Sequence, residues 1–128
     1  MGMFKNIDHV IVMTSDMNRS VEFYESIMGF ELKMRSESWT EFNMGSTSLA
    51  LHSGAEPNTE RNKTEPHSNV GGFGSISFNV ENVDEVYEML QPKGVNFTLK
   101  PEVRENENLK LAIAQDPDGF EICFAQHL

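Results

Sequence analysis

The sequence predicts an α+β fold in which one β-α-β-β-β unit occurs twice within a single domain covering residues 1–128. Three observations lead there. A strand, a helix, a glycine and further strands follow Ile7, and the same order starts again at Phe73. Both helical stretches carry apolar residues at the spacing that gives a helix one buried side. Between the copies, residues 54–72 are rich in Glu, Asn, Thr, Pro and Gly with no apolar period, so they read as a linker, either loose or closing over a site. The two modules then fall at about 4–53 and 73–127.

In the first module His9-Val10-Ile11-Val12-Met13 reads as a strand. Asp16 caps the next helix, because its short carboxylate accepts the unpaired N–H groups of the first turn. Val21, Tyr24, Ile27 and Met28 recur along one side of that helix, and Gly29 suits the left-handed backbone that ends it. Phe30–Arg35, Trp39–Met44 and Thr47–His52 follow as strands, with a turn at Gly45-Ser46. In the second module Ser75–Val80 is the first strand. A helix from Asn82 to Gln91 is expected to bury Val83, Val86, Met89 and Leu90 before Pro92-Lys93-Gly94 stops it. Val95–Leu99, Leu109–Gln115 and Phe120–Gln126 complete the set, and Asp116-Pro117-Asp118-Gly119 marks the last turn. Gly71-Gly72-Phe73-Gly74 precedes a strand instead of opening a helix; it lacks the helix N-terminus that cradles phosphate and reads as a hinge.

Composition narrows the function. A 14.5 kDa chain buries about two-thirds of its extended surface, so neither a disulfide nor a metal is required for folding. Twenty acidic residues against ten Lys plus Arg give a charge of −10, which disfavours nucleic acid and anionic membrane surfaces as partners. Cys123 stands alone, so no intrachain disulfide forms. Residues 1–7 hold no long apolar run, and no stretch of 18 apolar residues occurs, so the expectation is a soluble, cytoplasmic protein.

Side chains alternate across a strand, which splits each strand into two faces. Val10, Val12, Leu49, Leu51, Ile76, Phe78, Phe120, Ile122 and Phe124 share the side expected under the helices. Opposite them lie His9, Ile11, Met13, Ser48, Ala50, His52, Ser75, Ser77, Glu121, Cys123 and Ala125. Small residues with a few polar heads suit the lining of a concave pocket.

Asp8-His9 before the first aliphatic strand, the run Ser15-Asp16-Met17-Asn18-Arg19-Ser20-Val21-Glu22-Phe23-Tyr24 with Gly29-Phe30, and Asp116–Gly119 before the last strand resemble the vicinal-oxygen-chelate superfamily. This is also called the glyoxalase, bleomycin-resistance and dioxygenase superfamily. The resemblance covers nearly the whole chain. It implies a glyoxalase-like fold, a curved mixed sheet around a cup that a homodimer completes, with a small-molecule ligand in the cup. Metal-using members place their ligands at positions that fall here on His9, Ala50, Ser75 and Cys123. Ala50 has no donor atom, Ser75 is a poor ligand for divalent ions, and Cys123 offers a soft thiolate. No metal is therefore expected at the inherited positions, no resident cofactor is expected, and glyoxalase I activity is disfavoured.

The pocket residues expected from face and position are His9, Trp39, Ala50, His52, Ser75, Ser77, Glu121 and Cys123. His9 suits a general base or a ligand-orienting donor, and Glu121 an acid or base. A displaced divalent-metal site at His9, His52 and Glu121 is the alternative, although each lies one rung, about 6.6 Å, from its inherited position. Trp39, Phe42 and Phe97 are candidates for an aromatic wall around a planar or cationic guest, with core packing as the other reading. Glu102–Glu107 reads as a solvated loop from which Arg104 reaches a ligand carboxylate. Cys123 reads as an inert thiol; His67 and His127 receive no role. Function then lies between an enzyme acting on a small oxygen-bearing molecule, a metal-free sequestering protein of the resistance type, and an interaction domain without ligand.

Overall fold

The computed structural model describes residues 2–56 and 75–128. The chain divides into two compact units, one for each expected module. Of the linker at 54–72, residues 57–72 lie outside the described residues, as do His67 and the tetrad Gly71–Gly74.

The first unit runs β1 (His9–Thr14), α1 (Met17–Val21), a π-helical continuation (Glu22–Ile27), β2 (Glu31–Arg35), β3 (Trp39–Met44) and β4 (Thr47–Ser53). Asp16 caps α1 as expected: the Arg19 N–H donates to its Oδ1 at 3.1 Å. The helix does not stay α throughout. From Glu22 it widens, and the Met28 N–H donates to the Phe23 carbonyl five residues back at 2.9 Å. Gly29 ends the segment at φ +79°, the left-handed region where a side chain would be strained. The strands form one mixed sheet in the order β1-β4-β3-β2, with β1 and β4 parallel and the other neighbours antiparallel. Val12, Val21, Phe23, Tyr24, Phe42, Leu49 and Leu51 are buried as its core. Val10, expected with them, stays 36 % exposed on the edge strand.

The second unit runs β5 (Ser75–Asn79), α2 (Val83–Leu90), β6 (Asn96–Arg104), β7 (Leu109–Gln115) and β8 (Glu121–His127). Its order is β5-β8-β7-β6, again with one parallel pair, β5 with β8. Asn82 caps α2 by accepting from the Glu85 N–H at 3.1 Å, and Gly94 at φ +88° closes the short turn that follows. Two expectations need correction here. Met89 is 51 % exposed, because it lies about 90° round the helix from the centre of the stripe set by Val83, Val86 and Leu90. Glu102–Arg104 belongs to β6 and not to a loop; β6 is an edge strand, where Pro101 costs no ladder bond on its free side. Only Glu105–Glu107 forms a turn.

Candidate functional site

Register decides which side chains of the first unit meet. His9, Ser48 and Asn43 share one rung; Ile11, Ala50 and Glu41 share the next; Met13, His52 and Trp39 share the third. All nine point to the face away from Val12, Phe42, Leu49 and Leu51. His9 and Trp39 lie on strands separated by β4, yet their ring centroids are only 5.4 Å apart, edge to face. The two rings therefore reach toward each other over β4, across the rung of Ala50, and Ala50 is fully buried. On its other neighbour the indole meets His52, at 5.7 Å and again edge to face.

Polar contacts hold this aromatic group in place. The Trp39 Nε1–H donates to Glu41 Oε2 at 2.9 Å, and Glu41 Oε1 faces Lys33 Nζ at 3.8 Å. His9 Nδ1 pairs with Asp8 Oδ2 at 2.8 Å, a contact that holds the Asp8 carboxyl below its ordinary range. His52 Nδ1 pairs with the Ser53 carbonyl at 2.7 Å. Beside the rings, Ile11 and Met13 are 48 % and 46 % exposed. A fixed, half-buried indole flanked by exposed apolar side chains and a carboxylate is a surface suited to an organic ligand.

In the second unit Ser75 pairs with Glu121 and Ser77 with Cys123 along β5 and β8, so these four share one face. Ser75 and Ser77 are exposed, Glu121 and Cys123 half-buried. Burial pushes the Cys123 thiol above its ordinary value and Glu121 adds to that, while a hydrogen bond with Ser77 and the charge of Arg104 oppose it. Arg104 itself donates from Nε to Glu102 Oε2 at 2.9 Å. On the same face of β7, Leu111, Ile113 and Gln115 are buried, so this side is far less open than alternation on β5 and β8 suggests.

Of the three aromatic candidates only Trp39 lies on the site face. Phe42 is fully buried against Tyr24 and Phe30, at 6.1 and 6.2 Å, and Phe97 packs on Tyr87 of α2 at 4.8 Å. Glu41 and Asp8 carry the anchoring contacts and were not legible as such; the two-residue step from Trp39 to Glu41 is the sequence signal that places both on one face.

The whole constellation sits on a known scaffold. Residues 6–124 match the family model of the Glyoxalase/Bleomycin resistance protein/Dioxygenase superfamily. The chain belongs to this superfamily. Among similar superfamily proteins are a lactoylglutathione lyase of Shigella flexneri, 30% identical over 122 residues that cover 89% of this chain and 87% of that one, and the metallothiol transferase FosB of Staphylococcus haemolyticus, 30% identical over 123 residues covering 94% and 82%. TnmS3, described as an antibiotic binding protein from Streptomyces sp. CB03234, superposes with a TM-score of 0.78 over 100% of both chains at 22% identity, a likeness of fold.

For this superfamily member a metal fits poorly at the inherited positions. Ala50 has no donor and is buried where the indole and His9 meet, and Ser75 is a weak ligand. Among the described residues no three His, Cys, Asp or Glu side chains group as metal ligands. In the displaced alternative His9 and His52 both lie against Trp39, and Glu121 belongs to the other unit. No helix among the described residues is long and apolar enough to cross a membrane.

Proposed function

We propose that this protein binds a small organic molecule without the superfamily's metal and acts by sequestering it, in the manner of the resistance-type members. The observation that carries the reading is Ala50: a side chain without donor, fully buried at the place where a metal-using relative needs a ligand, on the strand between those of His9 and Trp39. The binding residues on this reading are His9, Trp39 and His52 in the first unit, with Ser75, Ser77, Glu121 and Cys123 in the second. A cytoplasmic homodimer is the assembly we propose with it. The test is elemental analysis of gently purified protein, followed by thermal unfolding against a library of small organic molecules. Substoichiometric metal together with a stabilising compound supports the proposal. A stoichiometric transition metal lost in His9→Ala and Glu121→Gln overturns it in favour of the displaced-site enzyme.

One observation favours a second reading. Asp8 holds His9 through Nδ1, which fixes the ring and leaves Nε2 as the free nitrogen, the arrangement a general base requires. On that reading His9 is the general base of a metal-free enzyme. Turnover of a bound compound, abolished in His9→Ala with binding retained, would establish it.

A further inference from the structure

Between the first turn of α1 and the corner that joins β2 to β3 runs a cleft of about 530 Å³, lined by Asp16, Met17, Asn18, Arg35, Ser36 and Glu37. That volume falls in the range that holds small ligands. Arg35 shares its rung with buried Thr40 and bonds to Asn18 of α1, which puts the cleft on the helix-bearing side of the sheet, away from the face of His9 and Trp39. We propose that this cleft is a second binding site and that it takes a free α-amino acid with an apolar side chain: the carboxylate on Arg35, the ammonium on Glu37 and the side chain over Met17.

Two unpaired charges of opposite sign carry the inference. The Arg35 guanidinium donates from Nη2 to Asn18 Oδ1 at 2.7 Å, a neutral partner that orients the fork and leaves most of its five N–H donors unused. Among the described residues no carboxylate pairs with Arg35 and no cation with Glu37, although both line the same cleft. The third charged residue, Asp16, is engaged in capping through Oδ1. A simple anion at Arg35 would meet two carboxylates, and a simple cation at Glu37 would meet the guanidinium. A zwitterion answers both charges at once. The walls are also fixed in advance. The Ser36 N–H and Oγ–H both donate to the Trp39 carbonyl at 2.8 Å, and Ser36 Oγ accepts from the Trp39 N–H at 3.0 Å, so the corner that carries Glu37 is closed and little ordering is left for a ligand to impose. Met17 is half-buried and held by the Thr40 hydroxyl, which donates to its Sδ at 3.3 Å; it gives the cleft an apolar, polarizable floor.

The test is a chemical-shift titration of the isotope-labelled full chain with L-leucine, set against isocaproate, which lacks only the ammonium, isoamylamine, which lacks only the carboxylate, and glycine, which lacks the side chain. Leucine is expected to shift the backbone amides of Ser36 and Glu37, the side-chain amide of Asn18 and the Arg35 Nε–H, and to leave Ile11 and Ala50 in place; the three truncated compounds should each bind more weakly. Arg35→Gln should weaken leucine about tenfold or more, and Arg35→Lys, which keeps the charge and loses the fork, by less. Glu37→Gln should weaken leucine about three- to fivefold and tighten isocaproate, since it removes a carboxylate that repels it. Lys93→Gln, exposed in the other unit, makes the same change in net charge as Arg35→Gln and should leave leucine unchanged. Absence of a saturable shift, isocaproate or isoamylamine bound as tightly as leucine, full binding by Arg35→Gln, or shifts centred on Ile11 and Ala50 overturns the inference. The sequestering reading concerns the opposite face and stands or falls on its own experiment.

Discussion

Ala50 is fully buried on β4, the strand between those that carry His9 and Trp39, whose ring centroids are 5.4 Å apart. Ala50→Leu should therefore cost about 1–3 kcal/mol in urea denaturation, through overpacking. Ala50→Glu should cost more, since its carboxylate is buried without a partner, and should not by itself confer stoichiometric zinc. Cys123 makes a second prediction at this scale. Its thiol titrates above its ordinary value because burial disfavours the thiolate, so the fraction of the reactive form is low at neutral pH and grows as pH rises. Alkylation by iodoacetamide should be slow at pH 7 and still climbing at pH 9; a plateau below pH 8 contradicts the assigned environment. Alternation was enough to read His9, Ala50 and His52 as sharing a face. The meeting of His9 with Trp39 was not, because it depends on β4 lying between β1 and β3, which no local pattern encodes.

The helices and turns were the most legible elements. Asp16 and Asn82 cap as their chemistry dictates, and Gly29 and Gly94 take the left-handed backbone that ends each helical segment. Asp16→Ala should lower stability by about 1 kcal/mol, read from the same denaturation curves. The turn before β8 is built on one carboxylate: Asp116 Oδ1 accepts from the N–H groups of Asp118 and Phe120, each at 2.9 Å, and Asp116 is buried. Asp116→Ala leaves both donors short of a partner and should cost about 1–3 kcal/mol. Sequence reading failed where edges and widened helices decide. A proline followed by charged residues looks like a loop at 101–107, but an edge strand tolerates both, so β6 runs on to Arg104. Nor does the helical period distinguish an α turn from the π continuation at Glu22–Ile27, since both keep Phe23 and Tyr24 inside.

Across the whole molecule, the repeat of module and strand order was written plainly in the chain, and both sheets follow it with the same parallel pair between first and last strands. Hidden from the sequence was the difference between the two equivalent faces. On β3 of the first unit Trp39 and Glu41 are half-buried and Asn43 is exposed, while on the equivalent β7 Leu111, Ile113 and Gln115 are buried. A run such as Leu109–Gln115, apolar on both sides, gives no hint of which side is open. At this scale charge makes the prediction: with −10 on the chain, duplex DNA should remain unshifted in a gel at 50 mM salt, and retention there contradicts the reading of the surface.

Trp39 is the sole tryptophan in the chain. Its indole emission, excited where the two tyrosines do not absorb, therefore comes from one place, between two imidazoles and a carboxylate, and reports on that place alone. Quenching on acidification, a blue shift when a guest excludes water, or loss of signal ahead of global unfolding can each be assigned to the first unit without a label, so the protein supplies its own spectroscopic readout of whichever molecule it is found to hold.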